Sequence, residues 1–252
     1  MSIRMIALDL DGTTLNSAGV ITEGNRKAIE RAADKGVHVV VSTGRAYTSL
    51  PDDVKDIDVI RYAITSNGAH INLIKTGEAV YSDYLPEAAA MRSAELAEEL
   101  DTYIEIFIGG QAYIDEEYYN YIREYGSEYR NADYVLWSRK PIKNVIGALR
   151  ENSDRIENIN FCFRDLDVLE ASRPALDTIP DATITSSFIN NLEVGGKGTS
   201  KKTALTDLMK RLGVTRQELM CCGDAPNDIE MMEYAGLGVA VGNAWGGARE
   251  HA

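Results

Sequence analysis

Two aspartates one residue apart close the first apolar run of the chain, Met5-Ile-Ala-Leu-Asp-Leu-Asp-Gly-Thr13. The run is short and continuously apolar, the pattern of a buried parallel strand. Residues i and i+2 of a strand point the same way. Asp9 and Asp11 therefore project together from the strand's carboxyl end, where Gly12 lets the chain turn away. Adjacent carboxylates repel one another. A hard cation such as Mg²⁺, a nucleophile with an acid–base partner, or both would give the arrangement a use. A solvated strand end followed by a turn is the alternative without chemistry.

A second acidic pair lies near the other end, in Gly223-Asp-Ala-Pro-Asn-Asp228, again after an apolar run. With Asp9 and Asp11, the residues Asp224 and Asp228 make four acids at one sheet edge. Such a cluster needs a cation, and Mg²⁺ fits carboxylate oxygen best. Thr43 offers a hydroxyl, and Gly44 lets backbone N–H groups approach an oxyanion. Lys201 opens a helix expected over 199–212, the end where the helix dipole favours negative charge. Its position makes sense if it faces a phosphate or the acids. The nearby Gly195-Gly-Lys-Gly-Thr-Ser-Lys201 fails the phosphate-loop pattern, because Gly198 follows Lys197.

The elements that must position these groups alternate in the first eighty or so residues. The opening strand, helix 22–35 and strand 37–41 are followed by a third strand at 61–64. Strand, helix, strand order implies parallel strands with right-handed crossovers. Their carboxyl ends run into Ser42-Thr-Gly-Arg45 and Thr65-Ser-Asn-Gly68. Ligands of open parallel sheets bind beyond those ends. The middle reads differently, with helices at 86–101, 116–128, 142–150 and 166–178. Strands at 103–108, with one covered face, and at 111–114, 156–163 and 182–188 complete an α+β unit with an antiparallel sheet. The tyrosines at 118, 119, 121 and 125 fit a partly buried amphipathic helix. A helix at 199–212, strands at 219–222 and 238–242 and a helix ending near Ala235 return to the first style. The simplest model is a parallel α/β core built from both chain ends, with the middle inserted as a cap.

Composition removes several classes of function. The 252 residues carry 39 acidic and 26 basic side chains, a net charge of -13, with no Lys/Arg cluster to suit nucleic acid or an anionic membrane. Cys162, Cys221 and Cys222 show no disulfide spacing, and Cys221 and Cys222, which end an apolar run, read as core residues. With neither CxxC nor HExxH, zinc is not expected. No apolar run has the length of a membrane span or signal peptide, so the cytosol is the default. The sequence leaves the oligomeric state open, a monomer or weak dimer, because an exposed apolar stripe is recognised only in a structure.

Asp9-Leu-Asp-Gly-Thr13, Ser42-Thr-Gly-Arg45, Thr199-Ser-Lys-Lys202 and Gly223-Asp-Ala-Pro-Asn-Asp228 resemble, in order and spacing, the four motifs of the haloacid dehalogenase superfamily. The inserted middle, Asn67-Gly68 and Leu192-Glu-Val194 resemble its Cof-like class IIB phosphatases. The resemblance implies a Rossmann-like parallel-sheet core (the HAD fold) over 1–82 and 195–252. It also implies an inserted α+β cap over 83–194 that closes over the site and selects substrate. It implies Mg²⁺-dependent hydrolysis of a small phosphorylated metabolite, a sugar phosphate or similar monoester. Asp9 would attack phosphorus to form an aspartyl-phosphate; Asp11 would protonate the leaving oxygen and then activate water. Mg²⁺ would be held by Asp9, the Asp11 backbone carbonyl and Asp224, with Asp228 close by. Thr43, Gly44 and Lys201 would bind the phosphoryl oxygens, with Asn227 helping and Arg45 and Asn67 completing the substrate set. A phosphomutase or phosphotransferase, or a non-catalytic phosphometabolite-binding protein, are the competing readings. Two features depart from the family pattern: Ala225-Pro226 in the acidic loop, and a chain that stops at Ala252, soon after Gly242-Asn-Ala244.

Overall fold

A computed structural model of the chain describes residues 2–127 and 131–252. They form two units, Met1–Ser82 with Thr199–Ala252, and Asp83–Gly198. The first opens with β1 (Met5–Leu8), α1 (Glu23–Asp34), β2 (His38–Ser42), α2 (Asp52–Lys55) and β3 (Tyr62–Thr65). Thr22 caps α1 by accepting the Asn25 N–H, so the helix starts where its first free donors find an oxygen. A hairpin of β4 (His70–Leu73) and β5 (Ala79–Ser82) follows, which the sequence reading left out. Its strands have four residues each, too few to show a period.

The second unit holds α3 (Glu87–Glu99), β6 (Tyr103–Ile108), β7 (Gln111–Asp115), α4 (Glu116–Tyr125), α5 (Ala132–Ser138) and β8 (Arg139–Ile142). It continues through α6 (Val145–Glu151), β9 (Asn158–Cys162), α7 (Leu166–Leu176), β10 (Ala182–Thr185) and β11 (Asn191–Gly196). The helix expected over 116–128 ends at Tyr125, and Glu128 lies outside the described residues. Tyr118 and Ile122, one turn apart, are buried while Asn120 and Glu124 on the opposite face are exposed, as an amphipathic helix requires. The six strands run in the order β10-β11-β9-β6-β7-β8, antiparallel except for β7 with β8. Ile104, Ile106, Ile159, Phe161, Leu192 and Val194 face the apolar core shared with α3, α6 and α7.

The other face corrects the expectation of a single covered side. Glu105 is 1% exposed and forks onto Arg139 at 3.0 and 2.7 Å, while Asn160 donates to the same carboxylate at 2.9 Å. Burial works against the Arg139 charge, but Glu105 outweighs it and holds the guanidinium protonated.

The chain then returns to the first unit through α8 (Lys201–Leu212), β12 (Leu219–Gly223), α9 (Ile229–Tyr234) and β13 (Leu237–Ala240). The sheet order is β13-β12-β1-β2-β3-β4-β5, parallel from β13 to β3 and antiparallel in the terminal hairpin. Alternate side chains of β2 enter different cores: Val40 packs with Leu205 and Leu208 of α8, Val39 and Val41 with Ile29 of α1. Burial on both faces is why these strands read as unbroken apolar runs. Strand order reverses at β1, which has β2 on one side and β12 on the other. That reversal opens a crevice at the strands' carboxyl ends. Among the described residues no helix is long and apolar enough to cross a membrane.

The ion pair of the second unit yields a stability test. Arg139→Met alone strands the Glu105 carboxylate in the core and is expected to cost about 3–5 kcal/mol. Glu105→Leu together with Arg139→Met should cost much less, measured by urea unfolding of both variants.

Candidate active site

Each parallel strand from β12 to β3 delivers one segment to the crevice. Asp9 follows β1, Thr43 follows β2, Ser66 follows β3 and Asp224 follows β12. Lys201 enters from the first turn of α8, where Ser200 caps the helix by accepting the Thr203 N–H. Its side chain is 1% exposed, and its ammonium donates to Asp9 Oδ1 and to Asp228 Oδ1, both at 2.7 Å. The unfavourable helix end is thus outweighed by two buried carboxylates. Burial alone would depress the Lys201 pKa, but Asp228 and then Asp9 raise it well above the usual lysine range.

Asp228 has both oxygens engaged. While Oδ1 takes Lys201, Oδ2 accepts the backbone N–H groups of Asp224 at 3.0 Å and Ala225 at 3.1 Å. It therefore shapes the loop that carries Asp224. Asp224 Oδ1 in turn accepts the Thr13 hydroxyl at 2.7 Å. Gly12, at φ 79°, lies so close that a Cβ there would sit 2.4 Å from Asp224 Oδ2. Only glycine permits that approach together with that backbone.

Asp11 is paired with Arg45. Arg45 was anticipated to grip substrate, but its guanidinium forks onto Asp11, Nε to Oδ2 and Nη2 to Oδ1, both at 2.7 Å. Its Nη1 donates to the Ser49 carbonyl at 3.0 Å. The Arg45 side chain is buried, while Asp11 keeps 39% exposure. Thr43 is buried with its hydroxyl oxygen accepting the Arg45 N–H at 3.2 Å. Asn227 Nδ2 donates to Asn67 Oδ1 at 2.9 Å. Sequence reasoning missed Thr13 and also Asn243, whose Nδ2 donates to the Gly12 carbonyl at 2.9 Å. Thr13 stands directly after the Asp-x-Asp-Gly, which was its only signal.

The donor set fits a hard divalent cation. Carboxylate oxygens of Asp9, Asp224 and Asp228 come within 4.8 Å of one another. Four carboxylates here face two buried cations, Lys201 and Arg45, so one divalent ion would restore neutrality. Burial pushes Asp9 well above the ordinary carboxylate range, against the pull of Lys201 and with the push of Asp228. Burial also raises Asp224, which the Thr13 hydrogen bond offsets only in part. By contrast Cys222, pushed up to about 11 by burial, is no thiolate ligand.

Comparison with known proteins follows the same lines. The family model of the haloacid dehalogenase-like hydrolases matches residues 6–252. A 5-amino-6-(5-phospho-D-ribitylamino)uracil phosphatase of Bacillus subtilis is 30% identical over 251 residues, covering 97% of this chain and 86% of the relative. A pyridoxal phosphate phosphatase of Escherichia coli is 25% identical over 250 residues, covering 97% and 89%. A haloacid dehalogenase-like hydrolase from B. subtilis superposes with a TM-score of 0.84 at 28% identity, over 99% of this chain and 93% of that one.

The raised Asp224 pKa has a signed consequence. A carboxyl group raised in the folded state contributes stability below its unfolded pKa and loses it as pH rises through the folded value. Asp224→Asn should therefore stabilise the metal-free protein at pH 7. The gain should shrink toward pH 4 in urea titrations run with EDTA.

Proposed function

The chain belongs to the haloacid dehalogenase-like hydrolases, and from that premise we propose that it is a Mg²⁺-dependent phosphatase. Its substrate is a small phosphorylated metabolite, a sugar phosphate or similar monoester, and an aspartyl-phosphate forms on Asp9. The observation that carries the reading is the Asp9–Lys201–Asp228 arrangement beside Asp11, Asp224 and Thr43. A buried carboxylate fixed by an ammonium at a parallel-sheet switch point suits phosphoryl transfer, which needs positioning and charge neutralisation above all. The cation, held by Asp9, Asp224 and the Asp11 backbone carbonyl, would supply positive charge to the phosphoryl oxygens.

Lys201 holds Asp9 Oδ1 and with it the direction of the carboxylate. An Asp9 oxygen forms a bond to phosphorus in line with the ester oxygen, whose bond to phosphorus breaks. Asp11 gives its proton to that departing oxygen. Water then attacks the aspartyl-phosphate, Asp11 takes the water proton, and Asp9 leaves as the free carboxylate. The Arg45 fork pairs Asp11 as a carboxylate, so the proton it gives to the leaving oxygen is first taken up from solvent, on a lone pair that the fork leaves open. Thr43, the Gly44 backbone and Lys201 neutralise the charge spread over the equatorial oxygens. Substrate selection is assigned to the inserted unit. Buried cysteine thiols at 162, 221 and 222 agree with a reducing compartment such as the cytosol.

Phosphate release from a panel of sugar phosphates, nucleotides, pyridoxal phosphate and p-nitrophenyl phosphate, with Mg²⁺ or EDTA, tests this reading. Turnover should require the cation and fall roughly 10⁴-fold or more in Asp9→Asn. Metal-independent turnover, or an Asp9→Asn variant that keeps its rate, would contradict it.

A further inference from the structure

The turn after β3 contains two successive non-glycine residues in the left-handed region, Ser66 at φ 49° and Asn67 at φ 55°, followed by Gly68 at φ 101°. Such angles are disfavoured for residues with a Cβ and persist only where the surroundings impose them. Ser66 is wholly buried and Asn67 nearly so. What the turn achieves is visible in its contacts. The Ser66 N–H donates to the Arg45 carbonyl at 2.9 Å, and the Asn67 N–H to the Thr43 carbonyl at 3.2 Å. Gly68 abuts the start of α8, where a Cβ would lie 2.1 Å from the Ser200 carbonyl oxygen. The Asn67 amide reaches a third segment through the hydrogen bond from Asn227, and a Cβ placed on Gly44 would sit 3.1 Å from Asn67 Oδ1.

This one turn therefore joins the loop of Thr43 and Gly44, the helix start of Lys201 and the loop of Asp224 and Asp228. Asn67 and Asn227 were expected to bind substrate, but their amides face each other. We propose that Asn67 is a positioning residue. With Asn227 it holds the Thr43–Gly44 backbone at a fixed distance from Asp9, and the left-handed turn is retained because it aims that amide. The inference rests on the phosphatase reading above. Donors to a phosphoryl group work only where the transferring oxygens will be, and a shift of about 1 Å costs on the order of 100-fold in rate. Asparagine is also among the few residues with a Cβ that enter the left-handed region readily.

Three variants test this on the ester that the wild type turns over best. Asn67→Gly keeps the backbone angles and removes the amide, Asn227→Ala removes its partner, and the third combines them. Asn67→Gly should lower kcat by about 10- to 100-fold with KM within about 3-fold, while Tm holds or rises as the strained angle is relieved. Asn227→Ala should lose a similar factor, and the double variant should be no slower than the slower single one. A general loss of packing would lower Tm and would not produce that saturation. Asn67→Gly with unaltered kcat, or losses that multiply, would overturn the proposal. If Asn67→Gly does not fold, Asn227→Ala decides: a lower kcat at constant KM supports the strut, and full activity removes it. A wild-type protein that is folded but releases no phosphate removes the phosphatase reading, and this inference with it.

Discussion

The Lys201 ammonium between Asp9 and Asp228 is the interaction on which the rest of the first unit depends. All three groups are out of water, and each charge would cost several kcal/mol to bury alone. Together they satisfy one another only if three distant segments meet: the end of β1, the start of α8 and the loop after β12. The sheet provides this meeting, because β1 lies between β2 and β12 and ends where their loops begin. Asp228 then uses its second oxygen to fold the loop that presents Asp224. One ammonium thus orients the proposed nucleophile and, through Asp228, a proposed metal ligand.

Around that triad the carboxylates of Asp9, Asp11, Asp224 and Asp228 outnumber the cations of Lys201 and Arg45. Arg45 neutralises Asp11 and is anchored on the Ser49 carbonyl. Burial raises Asp9 and Asp224 against their ordinary values. A site strained in this way gains stability when a cation or a phosphoryl group with its cation arrives, a common cost of function. The left-handed turn at Ser66 and Asn67 belongs to the same economy: local strain kept where three loops must hold their spacing.

Much of this was legible in the chain. The buried strands ending in Asp9, Thr43 and Asp224 announce themselves as unbroken apolar runs, because parallel strands are covered on both faces. Asp9 and Asp11 read as a pair because the strand period is two. Lys201 stood out because it opens a helix where a cation is unwelcome. What stayed hidden depends on contacts between residues far apart in sequence. Nothing near Arg45 signals Asp11, 34 positions away, and nothing near Asn67 signals Asn227. The hairpin of β4 and β5 is too short to show a period. Glu105 looked like the solvent side of its strand, and only the position of Arg139, also 34 residues distant, shows that face to be buried. Sequence pattern thus reports which groups are unusual, and the fold reports whom they answer to.

The central claim is that Asp9 is the oxygen nucleophile in phosphoryl transfer. Its most direct test is rapid acid quench of Asp11→Asn with ³²P-labelled p-nitrophenyl phosphate, whose leaving group needs no proton, so that loss of the base slows only the second step. The account predicts ³²P on the peptide containing Asp9, released by hydroxylamine as an acyl phosphate must be. Label on another residue, or a wild type that turns over while no protein-bound phosphate forms in the variant at any quench time, would contradict it.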